Sequence, residues 1–326
     1  MILDNELTGD LRVENEVSAL QNAGHYVSIL CLNYGKKKPY EEFKNAKVFR
    51  ISMSLFIKKK LKGLNNTVLN FYPLFWSIHI KKFIKQNDIQ VLHTHDLWML
   101  ESVYKANKKF NLPVVADLHE NFVHALNHYK YANTFPGNFI ISKKRWKNSE
   151  IKWTKKANYI ITVIEEAVKR YRSLGVDEDK IFVVANYVNL DSFLASTIDK
   201  SLLDKFKDKF TLTYVGGFDS HRGLECVIKS VPQLIKTIKN FKLVLVGSGS
   251  NYDDLVTLAN SLNIRDYISF EGWQPNSKLS SYIKASNLCI IPHLKTKSKK
   301  LKINIIKLFF YIRTHKTRNI STIILF

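Results

Sequence analysis

Hydrophobic positions in the first half of the chain alternate between short continuous runs and longer segments with helical spacing. Four runs are apolar at nearly every position, which is typical of buried parallel strands. They are HYVSILCL (25–32), IQVLHTH (89–95), LPVVADL (112–118) and ANYIITV (157–163). Between them, apolar residues recur at helical spacing, as Val13, Val17 and Leu20 do before Gly24. The alternation predicts an α/β domain with a parallel sheet and right-handed crossovers.

The pattern stops near residue 194 and then restarts. The segment LASTIDKSLLDKFKDKF (194–210) is polar and charged and carries no strand signal, whereas strands and helices alternate again afterwards. We therefore predict a Rossmann-like N-terminal domain over residues 1–193, a linker over 194–210 and a second Rossmann-like domain over 211–294. Two doubly wound sheets that face each other create a cleft at the carboxyl ends of their strands, and we expect the functional site there.

Composition agrees with two domains in a reducing compartment. A chain of 326 residues with 45% hydrophobic content exceeds what one core usually serves. Cys31, Cys226 and Cys289 lack the close spacing of a metal knuckle or a disulfide framework. The N-terminal stretch has no signal-peptide pattern, and no stretch of about 20 uncharged apolar residues occurs. We expect a cytoplasmic location.

The formal charge of +22 implies attraction to polyanions. Residues 295–326 hold nine Lys and Arg and no acid. Two further basic clusters are KKKLKG (58–63) and SKKRWKNSEIKWTKK (142–156), and the second includes Trp146 and Trp153. These clusters are interpreted either as solvated helix faces or, for 142–156 above all, as a contact with the anionic inner face of a membrane.

Two strand-to-helix turns in the second half are rich in glycine. VGGFDSHRG (215–223) offers Gly216, Gly217 and Gly223 with Arg222, and VGSGSNYDD (246–254) offers Gly247 and Gly249. Glycine lets the backbone approach a ligand, a helix N-terminus favours an anion, and Arg can fork onto a phosphate. Each turn alone is as consistent with a purely structural role, but two in one sheet favour a phosphate-bearing ligand.

Histidines and carboxylates gather after two strands of the first domain. His93, His95 and Asp96 end one strand, and Asp117, His119 and Glu120 end another. Such groups suit proton transfer or recognition of hydroxyls, and His119 and Glu120 are the stronger candidates. The His-x-His spacing is also compatible with a metal site, but no third and fourth ligand follows at a recognisable spacing. We therefore expect no metal.

Several segments in series resemble the retaining glycosyltransferases of family 4, which have the GT-B fold. DLRVENEVSALQNAGHYVSILC (10–31) is similar to their D-x-R-V-x-x-E helix and G-H-x-V strand, and VVADLHE (114–120) to a strand that ends in a functional histidine. VVANYVNLDSF (183–193) resembles their segment at the domain boundary. The donor-domain blocks V-G-R-L…K-G, G-x-G, F-x-G and A-D-x-x-x-x-P are matched in order by residues 214–230, 243–255, 268–273 and 285–293.

The resemblance implies sugar transfer from a nucleotide-sugar donor to a glycan or lipid-linked acceptor, in cell-surface polysaccharide synthesis. His119, with Glu120, would contact the donor sugar or the acceptor hydroxyl, and Gly9 would let backbone approach either substrate. The donor would be held, without a metal or other cofactor, by Gly216, Gly217, Arg222, Gly223, Gly247 and Gly249.

The chain also departs from the family pattern. Gly217 stands where the family has an arginine, Arg222 stands where it has a lysine, and Phe310 occupies the place of a ribose-binding glutamate. We interpret residues 295–326 as an aberrant basic tail from a shifted reading frame, which would leave the donor domain incomplete and activity impaired. Alternatives are an inactive remnant, a GT-B nucleotide-sugar epimerase, or a basic nucleic-acid-binding protein, although no nucleic-acid partner is expected.

Overall fold

The computed structural model describes residues 1–7, 9–127, 129–186, 193 and 195–292. The chain divides between Asn186 and Tyr187 into two compact units. The predicted linker, 194–210, is not an open connection, because its described part contains a helix, Lys200–Phe206. Leu202 and Phe206 of this helix are buried against the second unit's Val244 and Val246. The segment looked like a linker because only this narrow face is apolar.

Unit 1 contains the four strands that the sequence predicted, and three further strands, 40–43, 46–52 and 181–183, that it did not predict. Its strands are β1 (Ser28–Asn33), β2 (Tyr40–Phe43), β3 (Ala46–Ser52), β4 (Leu92–His95), β5 (Val114–Asp117), β6 (Tyr159–Thr162) and β7 (Ile181–Val183). Its helices are α1 (Leu11–Asn22), α2 (Leu55–Gly63), α3 (Phe71–Gln86), α4 (Leu97–Asn107), α5 (Phe122–Ala125), α6 (Lys130–Asn133), α7 (Gly137–Ile140), α8 (Lys143–Lys156) and α9 (Glu165–Ser173).

The strands of unit 1 form a three-stranded and a four-stranded part, and the first residues of the chain connect the two parts into one sheet. One part has the order β1-β3-β2 and the other β4-β5-β6-β7, with parallel pairing throughout the second. Ile2 forms parallel bridges to both Leu30 and Thr94, so it connects β1 to β4. The antiparallel β2–β3 pair was not predicted, since β2 is a short, polar strand of sequence YEEF with half its residues exposed.

Apolar residues cover both faces of this sheet. The larger cluster includes Tyr72, Trp76 and Ile80 of α3 with Met99 and Leu100 of α4. A separate cluster packs Val13 and Val17 of α1 against β1 and β3. This second contact fixes α1 beside the sheet and directs its polar face toward the ends of β4 and β5.

Unit 2 is a smaller α/β unit with one parallel sheet of order β10-β9-β8-β11. Its strands are β8 (Phe210–Val215), β9 (Phe241–Val246), β10 (Ile268–Gly272) and β11 (Leu288–Cys289). Its helices are α10 (Lys200–Phe206), α11 (Leu224–Thr237), α12 (Tyr252–Ser261) and α13 (Asn276–Lys284). The predicted strand and helix alternation is confirmed over residues 210–289.

Some sequence predictions fall outside the described residues. They are the aberrant tail, 295–326, with Phe310, and most of the boundary segment that resembles the family, 187–192. Cys31, Cys226 and Cys289 are free thiols. None of the helices in the described ranges is long and apolar enough to cross a bilayer.

Candidate functional site

A polar cluster forms in unit 1 where α1 passes the ends of two adjacent strands. β4 and β5 pair in parallel with His95 opposite Asp117, so the two histidines of β4 and the aspartate of β5 come together. His93 and His95 point to one side, and their rings stack with centroids 4.7 Å apart. Helix α1 adds Glu16, whose Oε2 lies 3.6 Å from His95 Nε2 and 3.7 Å from His93 Nε2. The periodicity of the strands predicted the histidine pair, but not that Glu16 would reach it.

Burial dominates the electrostatics of this cluster. Burial and the nearby carboxylate of Asp117 raise the pKa of Glu16 to about 9. Burial lowers the pKa of His95 to about 3. For Asp117 burial alone would raise the pKa, but the two facing imidazoles outweigh it and lower the pKa below its usual range. His93 also has a lowered pKa, again because burial disfavours its charged form.

His119, the predicted catalytic histidine, lies beside this cluster and is held from both sides. Its Nδ1 is in close contact with Arg12 Nη1, and its Nε2 lies 3.2 Å from Asp96 Oδ1. Because arginine can only donate, Nδ1 accepts and Nε2 carries the proton toward Asp96. Burial and the charge of Arg12 both lower the pKa of His119. The ring is therefore a neutral imidazole of one tautomer.

The structure does not bring the other two predicted residues of unit 1 into this arrangement. Glu120 is exposed, and its Oε2 lies 3.5 Å from the hydroxyl of Tyr129. Gly9 lies in the exposed turn before α1, where its N–H donates to Glu14 Oε1 at 3.1 Å. Arg12 and Glu16 were not predicted as site residues, although the D-x-R-V-x-x-E pattern places them four residues apart on one helix face.

A groove of about 820 Å³ opens elsewhere in unit 1. Its walls are mostly apolar, and lysines of α2 stand along it. The lining includes Lys59, Lys60, Lys62, Trp98, Phe122, Leu126, Tyr131, Ile140, Ile141 and Trp146. Lys62 is placed by two contacts, since its Nζ lies 2.9 Å from Asp4 Oδ2 and 3.6 Å from the centre of the Trp98 ring. Such a groove can accept an apolar chain that carries a negative group.

The two glycine turns of unit 2 pack directly against each other at the carboxyl ends of β8 and β9. Phe218 N–H donates to the Ser248 carbonyl at 2.9 Å, and Asn251 N–H donates to the Phe218 carbonyl at 2.8 Å. A Cβ on Gly247 would lie 1.9 Å from the Gly216 carbonyl oxygen, and one on Gly249 would lie 2.6 Å from the Phe218 nitrogen. Close packing of the two turns therefore explains why glycine stands at these positions. That Gly247 and Gly249 contact a donor remains a prediction.

Arg222 and Gly223 stand at the start of α11. Arg222 ends a short 3-10 turn, Ser220–Arg222, and is half-buried. Gly223 adopts a left-handed φ of 75°, and no side chain caps the first amides of the helix. The preceding loop is fixed by Tyr214, whose hydroxyl donates to the Gly217 carbonyl at 2.9 Å. A helix start without a side-chain cap, a glycine backbone and one arginine form an arrangement that can bind a phosphate.

Two solved structures with the same architecture are distant from this chain in sequence. Sucrose-phosphate synthase from Thermosynechococcus elongatus aligns over 90% of this chain and 75% of its own, with a TM-score of 0.69 and 17% identity. The catalytic domain of starch synthase IV from Arabidopsis thaliana, bound to ADP and acarbose, aligns over 95% and 80%, with a TM-score of 0.65 and 12% identity. This likeness confirms the predicted α/β fold of two Rossmann-like domains, GT-B.

Sequence relatives carry glycosyltransferase names. An uncharacterised glycosyltransferase, MJ1607, of Methanocaldococcus jannaschii is 23% identical over 82% of this chain. Alpha-monoglucosyldiacylglycerol synthase of Acholeplasma laidlawii is 22% identical over 85% of this chain. LpsD of Rhizobium meliloti, a lipopolysaccharide core biosynthesis glycosyltransferase, is 29% identical over 36% of this chain. The chain spans 66% of MJ1607, 68% of the synthase and 32% of LpsD.

Two family profiles together match most of the chain. Residues 196–297 match the profile described as Glycosyl transferases group 1, which covers nearly all the described part of unit 2. Residues 11–192 match the profile described as Glycosyltransferase Family 4, which covers more than half of the 326 residues and holds the cluster around His119. The chain therefore belongs to glycosyltransferase family 4.

Proposed function

We propose that this protein transfers a sugar from a nucleotide-sugar donor to an acceptor hydroxyl, with retention of configuration. The observation that carries the proposal is the pair of packed glycine turns in unit 2, with Arg222 and the uncapped start of α11 beside them. Structures of similar fold are described with matching ligands, since HepE of Anabaena was solved with UDP and with UDP-glucose. Family membership favours this function over the epimerase and the nucleic-acid-binding alternatives.

The chemistry requires stabilisation of a leaving nucleotide diphosphate. Negative charge develops on the diphosphate as the bond to the sugar breaks, and donors that already point at it lower the barrier. Arg222, the amide of Gly217 and the positive end of the α11 dipole supply such donors, with the turn at Gly247 and Gly249 supporting them. The amides of Gly216 and Gly223 already donate to the carbonyls of Val246 and Ser220, so these two glycines would contribute by letting the backbone approach the donor closely. No metal or cofactor is required at the diphosphate in this proposal.

Unit 1 would recognise hydroxyl groups through His119. The imidazole is neutral, and Arg12 and Asp96 fix its orientation, so its Nε2–H can exchange Asp96 for a sugar oxygen. A preoriented donor of this kind costs little reorganisation when the sugar acquires charge. Glu120 and Gly9 remain proposed contacts with the donor or acceptor. Their contacts within the protein neither support nor oppose this role.

The acceptor is proposed to be a lipid-linked sugar or a surface glycan under synthesis at the inner membrane face. The apolar groove with its lysines supports a lipid that bears a phosphate, because apolar walls bind the chain and lysines the charge. Relatives named for lipopolysaccharide core biosynthesis and for diacylglycerol glucosylation agree with this class. The protein would then work in the cytoplasm, peripheral to the membrane.

Replacing Arg222 with alanine tests the donor site. Calorimetry of UDP and GDP binding to the full chain should show a loss of about 2 to 4 kcal/mol, as truncation of a charge-assisted contact does. Lys236→Ala, at the exposed far end of the same helix, removes the same charge and should leave affinity unchanged. Equal affinity of Arg222→Ala and the parent would refute this donor site, and tight RNA binding without nucleotide binding would revive the nucleic-acid alternative.

A further inference from the structure

Several buried polar atoms under α1 make no hydrogen bond of good geometry within the described ranges, although two of them, His95 Nδ1 and Asp117 Oδ2, lie only 3.0 Å apart. They are Glu16 Oε2, His93 Nε2, both ring nitrogens of His95 and Asp117 Oδ2. The side chains of His95 and Asp117 are only 2% and 1% exposed. A buried polar group without a hydrogen bond destabilises the folded state, and a charged one does so more. Five such atoms in one place therefore indicate a missing binding partner rather than a packing defect.

These atoms lie close enough together to surround a metal ion after a small contraction of the side chains. One ligand atom from each of the four residues can be chosen so that all lie within 4.8 Å of one another. His93 Nε2 lies 3.8 Å from Asp117 Oδ2 and 3.7 Å from Glu16 Oε2. His95 has Nδ1 3.0 Å from Asp117 Oδ2 and Nε2 3.6 Å from Glu16 Oε2, and only one of these two nitrogens can bind the ion. Four ligands at tetrahedral bond lengths of about 2.0–2.1 Å are themselves about 3.3 Å apart.

We propose that Glu16, His93, His95 and Asp117 bind one divalent transition-metal ion, zinc by the nature of the ligands. Two imidazoles exclude magnesium and calcium, which take oxygen ligands, and suit zinc and its neighbours in the first row. The two carboxylates balance the charge of the ion. Arg12 Nη1, 4.0 Å from Asp117 Oδ2, belongs to the outer shell, where it can hold the carboxylate in orientation.

Four protein ligands leave no open position, so the ion is structural. The ion would link α1 to β4 and β5, which are far apart along the chain. It would also lie next to the residues that orient His119. Spacing along the chain predicted no metal, because only the His-x-His pair was visible. The fold supplies the third and fourth ligands from α1 and β5. The inference is independent of the proposed sugar transfer.

The competing arrangement contains no metal. In it a proton on Glu16 is shared with Asp117, and the imidazoles stay neutral beside this pair. Both arrangements satisfy part of the cluster, but only the metal site responds to zinc, cobalt and chelators. Metal content and thermal stability therefore separate them without any measurement of activity.

The test uses the purified full chain. Elemental analysis after dialysis should find close to one zinc per chain, chelation should lower the thermal midpoint, and added zinc should restore it. Cobalt should replace zinc and give the visible absorption of a tetrahedral site. Glu16→Gln and His95→Ala should each weaken cobalt affinity by at least tenfold, whereas His25→Ala, an exposed histidine, should not.

Two results would overturn the proposal. One is a folded parent chain that holds less than a tenth of an equivalent of metal and whose thermal midpoint does not respond to zinc or chelator. The other is cobalt affinity that survives unchanged in Glu16→Gln and His95→Ala. If a variant does not fold, the cobalt spectrum and zinc response of the parent still decide the question.

Discussion

At the scale of single residues, Asp4 is the centre of a buried network in unit 1 that the sequence analysis did not predict. Its Oδ2 accepts from the Tyr72 hydroxyl and from Trp98 Nε1, each at 2.8 Å, and pairs with Lys62 Nζ at 2.9 Å. Lys58 Nζ lies 3.9 Å from its other oxygen. The carboxylate is 5% exposed, and it joins the start of the chain to α2, α3 and α4.

Asp4→Ala should destabilise the protein by about 3–5 kcal/mol, because removing one partner leaves buried charge and a buried hydroxyl without compensation. Urea unfolding measures the change. Asp177→Ala, which removes an exposed ion pair with Lys180, is the control and should leave the midpoint where it is. A midpoint for Asp4→Ala equal to that of the parent would show that the network contributes nothing.

The same residue predicts a dependence on pH. Burial alone would raise the pKa of Asp4, but Lys62 and Lys58 outweigh it and lower the pKa below its usual value of about 3.9. A lowered folded-state pKa contributes stability above the unfolded-state pKa, and this stability is lost as the pH falls through the folded value. The difference in stability between the parent and Asp4→Asn should therefore be complete above about pH 3.9 and should shrink as the pH falls from there through the folded-state pKa. A constant difference across that range would contradict the prediction.

At the scale of elements, helix α8 corrects an expectation about membrane contact. The tryptophans among its lysines were expected at a headgroup boundary, but Trp146 and Trp153 are buried. Trp146 packs edge-on against Phe122, and Trp153 stacks on Tyr104. The helix buries one narrow stripe, in which the two tryptophans alternate with Glu150 and Thr154, and its exposed face consists mainly of lysines and Arg145. Dense charge in the sequence concealed this stripe.

The two glycine turns of unit 2 give a prediction about packing. Gly249→Ala should destabilise the protein by about 1–3 kcal/mol, because its Cβ would lie 2.6 Å from the Phe218 nitrogen and force the loops apart. Gly63→Ala, at the end of α2, has no atom within 4 Å of the added carbon and should be neutral or stabilising. Thermal unfolding of both variants measures the contrast. Equal midpoints would show that the loops separate without cost.

At the scale of the whole molecule, exposed apolar and basic residues in unit 1 support contact with a membrane surface. Phe135 and Phe139 are 86% and 90% exposed, and they belong to the segment that flanks the lysine-lined groove. Exposed aromatic side chains near lysines are typical of surfaces that enter the headgroup region of anionic membranes. The described helices offer the basic charge at α2 and α8.

The full chain should therefore sediment with anionic vesicles at low salt and less at high salt, since each lysine near the surface contributes about 1 kcal/mol and salt screens it. Replacing five exposed cations of α8 by glutamine should weaken binding: Lys143, Lys144, Arg145, Lys155 and Lys156. Phe135→Ser with Phe139→Ser should weaken it too, whereas Tyr26→Ser, a fully exposed aromatic elsewhere, should not. Sedimentation equal to the parent for both variants would leave a soluble acceptor.

The sequence by itself determined four of the seven strands of unit 1, the alternation of strands and helices in unit 2, the glycine turns and the placement of His119 at a strand end, but not β2, β3 or β7. These features depend on periodicity and on turn chemistry, which act over a few neighbouring residues and can be read along the chain. The boundary between the units was harder to predict. Helix α10 has so few apolar residues that its sequence resembles an exposed linker.

Only the tertiary structure decided which distant residues meet. Glu16 lies far from His93 and His95 along the chain, and Asp4 far from Trp98, yet each pair shares one buried site. No local pattern encodes such meetings, because they depend on how α1 packs beside the sheet and on the register that sets His95 opposite Asp117. Burial then gives these residues their altered pKa values and their unmet hydrogen bonds, since a low-dielectric interior makes every unpaired polar atom costly.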